Sequence, residues 1–92
     1  MNQDQAETIA LTALQFIVSD DRELAALTAQ TGMGPADLRA GATDTGVLGA
    51  LLDFILSEEK RTLALCEAYD LEPELPARAR IALPGATVGV WE

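Results

Sequence analysis

Few residues in this chain are of a type that carries chemistry, and their spacing decides what each can do. There is no histidine among the 92 residues, so the commonest acid–base group and metal ligand is missing. Cys66 is the only thiol. A nucleophilic or redox role would need a helix N-terminus or a cationic neighbour to stabilise its thiolate. It stands instead between Leu65 and Glu67 on an apolar stripe of helical spacing, which reads as a small buried side chain. Ser19 and Ser57 are the only serines. Each precedes a carboxylate pair, Asp20-Asp21 and Glu58-Glu59, and each is expected to cap a helix. The acidic pair then falls in the first turn, where the helix dipole favours negative charge. Neither serine has the neighbouring base that an activated hydroxyl needs. The two carboxylate pairs could in principle face each other across a cation, but no calcium-loop spacing is present. No catalytic, cofactor or metal residue is assigned on these grounds.

The elements that carry these residues follow a repeated register. Residues 14–35 recur as residues 52–73. Phe16-Ile17-Val18-Ser19-Asp20-Asp21-Arg22 returns as Phe54-Ile55-Leu56-Ser57-Glu58-Glu59-Lys60, and farther on Leu27 matches Leu65, Met33 matches Leu71 and Pro35 matches Pro73. Two copies are too few for an open solenoid, so they should pack face to face around one core with pseudo-two-fold symmetry.

Asp4 with Glu7 resembles a capping box that starts the first helix. Its core stripe is Ala10, Ala13, Leu14 and Ile17. Continued in phase, that stripe meets Asp20 and Asp21, and burying unpaired carboxylates is costly. The helix is therefore expected to break at Ser19 and resume through Leu24, Leu27, Thr28 and Thr31. Gly32 supplies the left-handed residue that ends it, and Met33 turns back toward the core. A short helix Pro35–Ala40 stops at Gly41. Thr43 or Asp44 caps the next helix, whose stripe is Leu48, Leu51, Leu52 and Ile55, followed by Thr62, Leu65, Cys66 and Tyr69. Pro73 and Pro76 open a last helix that runs to about Leu83. The fold class is all-α: a compact bundle of about six helices made of two helix–helix–short-helix repeats. Repeat one covers about 5–41 and repeat two about 44–83, within a single domain 1–85. An apolar tail, 86–92, follows.

Fifteen acids against six bases give a net charge of −9. This disfavours nucleic acid and anionic membrane as partners and suits a basic protein or plain solvation. A lone cysteine allows no internal disulfide. The polar N-terminus lacks a signal pattern, and the longest apolar stretch, 47–56, contains Asp53 and is too short to span a bilayer. The chain is expected in the cytoplasm. The segment Leu24 to Leu38 has the outline of a helix-turn-helix. However, the second helix ends early at Gly41 and offers Arg39 as its only base, so affinity for phosphates is poorly provided. In the tail, Val88, Val90 and Trp91 are expected to pack back over the bundle, to stay mobile or to dock on another chain; they are the candidate protein-interaction residues, tryptophan being a favoured interface anchor. A homodimer through the tail, or through the alanine-rich outer face expected for the helix Thr45–Leu56, would fit.

The run from Asp4 to Gly85 resembles domain of unknown function family 3572, small proteins of alphaproteobacteria. The resemblance is carried by Glu7-Thr8-Ile9-Ala10-Leu11 with Ala13-Leu14, by the stretch Thr31-Gly32-Met33-x-Pro35-x-Asp37-Leu38-Arg39, by Val47 to Asp53 with Phe54-Ile55-Leu56, and by Ala82-Leu83-Pro84-Gly85. It implies an all-α, bacterial, intracellular protein and supplies no activity, cofactor or site residue. The reading that fits best is a small acidic non-catalytic protein-interaction module, acting on a protein partner or on itself. A degenerate helix-turn-helix regulator is the alternative.

Overall fold

Three alanines on the first helix set how closely its neighbours can approach. Ala6, Ala10 and Ala13 are fully buried, in line with Ile17, at the i, i+4, i+7 spacing of one helical face. The computed structural model describes residues 1–83, and within them six helices: α1 (Gln3–Val18), α2 (Asp21–Thr31), α3 (Pro35–Ala40), α4 (Thr45–Leu56), α5 (Glu59–Tyr69) and α6 (Leu75–Ala82). A 3-10 turn, Gly41–Thr43, links α3 to α4. The small side chains of α1 face α4 and α6, which also pack on each other, while α2 and α5 flank this trio.

α4 is the central helix. Leu48, Gly49, Leu51, Leu52, Phe54 and Ile55 are all buried, and only Gly46 and Asp53 are exposed along it. The alanine-rich outer face expected for this helix does not exist, because α4 is covered by its neighbours around most of its circumference.

The helix breaks fall where the stripes predict them, but several caps differ. α1 is capped by Asn2, not by Asp4: the Asn2 carboxamide oxygen accepts from Gln5 N at 2.8 Å, and the Gln5 side chain accepts in return from Asn2 N at 3.1 Å. α2 is capped by Asp20, which accepts from Arg22 N at 2.9 Å. Ser19 closes α1 instead, its hydroxyl donating to the Gln15 carbonyl at 2.7 Å. Ser57 likewise closes α4 on the Phe54 carbonyl at 2.6 Å, and Glu58 precedes α5 without a side-chain cap. Gly32 ends α2 in the left-handed region with φ 77°, and Asp70 does the same for α5 with φ 55°. Asp44 caps α4 on Gly46 N and Val47 N. Pro76 stands in the first turn of α6, whereas Pro73 belongs to the turn before it. Along α2 only Leu27 is fully buried, Thr28 and Thr31 being exposed.

One charged side chain joins three helices. Arg61 on α5 is 8% exposed. Its Nε donates to Glu23 of α2 at 2.6 Å, its Nη1 lies 3.0 Å from Glu58, and Ser57 accepts from Nη1 at 3.3 Å. The guanidinium sits 4.0 Å from the centroid of the Phe54 ring on α4, a cation–π contact that a desolvated site strengthens. Replacing Glu23 by Leu should cost about 2 kcal/mol, less than a fully stranded buried charge because Glu58 remains. The double variant Glu23→Leu/Arg61→Met should be more stable than Glu23→Leu alone, since it leaves no charge to bury. Urea unfolding of the two variants checks this, and a double variant weaker than the single would refute it.

Gly41 is required for space. Its φ of −83° suits any residue, but an added Cβ would fall inside the Val47 side chain, 2.7 Å from Val47 Cβ. Gly41→Ala should cost about 1–3 kcal/mol through overpacking, and Val47→Ala in the same chain should relieve most of it. A Gly41→Ala protein with an unchanged urea midpoint would contradict the close approach.

Candidate functional site

The α1–α2 break and the α2–α3 turn together build a groove. α1 contributes Leu14 and Val18, one helical turn apart beside the buried alanine stripe. With only Ser19 and Asp20 between α1 and α2, Leu24 comes round to face them. Gly32 then reverses the chain so that α3 brings Pro35, Leu38 and Arg39 to the third side. These six residues line a groove of about 330 Å³. Its base is buried Leu38 and its lip is Val18, which is 47% exposed.

The turn that sets the third wall is held by side-chain hydrogen bonds. The Thr28 hydroxyl donates to the carbonyls of Leu24 and Met33 at 3.1 and 2.9 Å. Thr31 Oγ1 donates to the Leu27 carbonyl at 2.7 Å and accepts from Met33 N at 3.1 Å. Asp37 accepts from Gly34 N at 2.8 Å. The threonines expected on the core stripe therefore serve as clips for the turn. The groove is preformed, which lowers the ordering cost of filling it.

Five of the six lining residues are apolar, and Arg39 supplies one cation at the edge. Asp20 and Asp21, four and three residues before Leu24, add negative charge at the α2 end.

The other residues singled out from the sequence are placed as follows. Ser19 and Ser57 donate their hydroxyls to helix carbonyls. Among the described residues, no three side chains of His, Cys, Asp or Glu come together to hold a metal. The α2–turn–α3 pair has the helix-turn-helix order, with α3 only six residues long. Val88, Val90 and Trp91 lie outside the described residues. Leu14, Leu24 and Leu38 were legible as core positions; Val18 was the missed signal, an apolar residue just off the buried stripe at i+4 from Leu14.

Cys66 is buried, and its thiol donates weakly to the Glu72 carbonyl at 3.6 Å. Burial pushes its pKa up, and the Glu74 carboxylate adds to the shift. Both effects favour the neutral thiol over the thiolate. Because the unfolded chain releases this proton at the ordinary value of 9.0 while the fold retains it, stability should fall as pH rises past that value. Cys66→Ala should remove this part of the alkaline loss in urea unfolding. A thiol reagent should label the native protein far more slowly than the unfolded one, and equal rates would remove the buried assignment.

No curated protein and no solved structure matches this chain. A family model does, over residues 3–86, a span that takes in all six helices. The chain therefore belongs to the family described as protein of unknown function (DUF3572).

Proposed function

We propose that this protein is a non-catalytic interaction module that receives an apolar segment of a partner protein in the α1–α2–α3 groove. The observation that carries the reading is the groove itself: preformed, apolar at its base and on three walls, and edged by charge. The partner's chemistry follows from the surroundings. A chain of net charge −9, with Asp20 and Asp21 at the groove's end, suits an apolar anchor flanked by lysine or arginine, since opposite charge speeds encounter and sets orientation. A cytoplasmic setting fits a chain whose one thiol is held in the core, and no helix among the described residues is long and apolar enough to cross a membrane.

The helix-turn-helix alternative draws on the same α2–turn–α3 geometry. Its weakness is charge: α3 offers Arg39 alone, two residues from Asp37, where DNA affinity needs several cations.

The test uses substitutions at two exposed positions. Val18→Asp places a carboxylate on the groove lip, while Leu63→Asp alters an apolar residue on α5, 46% exposed and outside the groove. Captured partners from a cell lysate should be lost or weakened on the order of tenfold by Val18→Asp, about 1.4 kcal/mol, and unchanged by Leu63→Asp. Elution by salt should track the basic flanks. A capture profile indifferent to Val18→Asp would exclude the groove as the binding surface.

A further inference from the structure

The apolar surface of α1 does not end at the groove. Leu11 stands about two turns before Val18 on the same face of the helix and is 41% exposed. Leu14, which lines the groove with Val18, lies between them. Farther back the same register holds Glu7 and Asp4. At 3.6 residues per turn these five side chains fall within an arc of about 80°, clear of the buried stripe Ala6, Ala10, Ala13 and Ile17. A repeat of three and four residues is the spacing of a helix–helix seam. One side of α1 thus carries two acids and then three apolar residues along about 21 Å.

We propose that this side of α1, together with the α1–α2–α3 groove, receives an amphipathic α-helix of the partner protein. Its apolar residues recur at i, i+3 or i+4, and i+7, and it carries lysine or arginine at the end that meets Asp4 and Glu7. The inference rests on the groove reading above and adds the occupant's conformation and register.

Backbone chemistry selects a helix. Among the groove-lining residues only Arg39 has a side-chain donor. No strand occurs among the described residues, so an extended segment has no sheet edge to join. Its N–H and C=O groups would lie against apolar walls without partners. A helix keeps those bonds within itself and offers only side chains to the groove. Charge then sets which end is basic. α1 contains no lysine or arginine, and neither Asp4 nor Glu7 joins an ion pair among the described residues. At the other end Asp20 and Asp21 are followed directly by Arg22, and Arg39 lines the groove, so the acids there are partly offset. A second copy of the chain, with the same charge of −9, is repelled; a cationic helix is drawn in.

The probe is a fluorescein-labelled synthetic peptide of roughly 16 residues, only partly helical when free, with leucines at i, i+3 and i+7 and lysines toward both ends. Anisotropy should report its binding to the full-length protein, and its helicity by circular dichroism should rise on binding. A peptide that differs by one proline between the leucines should bind about tenfold more weakly or worse. Leu11→Asp should weaken the leucine–lysine peptide by a similar factor. An added carboxylate would strengthen mere attraction of a cation, so this loss reads the apolar contact. Asp4→Lys/Glu7→Lys should also weaken binding and flatten its dependence on salt, while Leu63→Asp should change nothing. Should Leu11→Asp lose helicity, Leu11→Gln takes its place with the same expected direction. Leu11 lies outside the six groove residues, so its variants separate this inference from the reading beneath it. Loss by Val18→Asp with indifference to Leu11→Asp overturns the helix along α1 and leaves the groove standing. Equal binding of the proline peptide, or no binding of the leucine–lysine peptide, overturns it too.

Discussion

The burial of Arg61 is the constraint on which the arrangement of the outer helices depends. A guanidinium held at 8% exposure is tolerable only if its charge and its donors are answered, because an uncompensated buried ion costs several kcal/mol. Glu23 answers from α2, Glu58 and Ser57 from the α4–α5 corner, and the Phe54 face from α4. Each partner is useful at one geometry only, so the group fixes where α2 and α5 lie relative to α4 more sharply than apolar contact would. Glu23 and Arg61 are 38 residues apart, the same interval that separates the two similar stretches of sequence. The pair therefore ties α2 to α5 directly across a long stretch of sequence.

Inside this frame the helices are brought close by what is missing from their side chains. Ala6, Ala10 and Ala13 leave α1 nearly smooth where α4 and α6 approach. Gly49 does the same on α4. An added Cβ there would come within 3.2 Å of the Arg80 guanidinium, so the glycine leaves room for Arg80 to lie across α4 and place its Nε 2.7 Å from Asp53. Close packing of this kind gains dispersion contact at little cost in side-chain entropy. It also concentrates the large apolar residues on α4, which explains why that helix is buried nearly all round while α2 and α5 each bury only one edge.

Helix breaks were legible in the sequence because they follow from a local conflict. A stripe that must stay buried cannot continue through Asp20-Asp21, and Gly32 can adopt a backbone that other residues resist. The caps were less legible. Ser19 and Asp20 are adjacent and both suit a cap, and the choice turns on the Ser19 hydroxyl finding the Gln15 carbonyl one turn back, which leaves Asp20 to serve α2. Arg61 was not legible at all: a base next to Lys60 in the first turn of a helix gives no sign of burial, and its burial depends on a carboxylate on another helix. The groove was half visible. Leu14, Leu24 and Leu38 have core spacing, but whether three such residues close on one another or leave a channel depends on the angle between helices, set by the turn at Gly32 and its threonine clips.

The acidic surface and the exposed apolar residues belong to one physical problem. A chain this short has too little interior to hide every large side chain, and here Leu11, Val18, Leu63 and Ile81 remain open. Left neutral, such a surface invites association between copies. Nine net negative charges oppose that at every approach of like to like, while attracting any cationic sequence that carries an apolar anchor. In the proposed reading the same charge would select among partners before any side chain enters the groove. Specificity would then be divided between charge, which acts on approach, and the shape set by the Gly32 turn, which acts on contact.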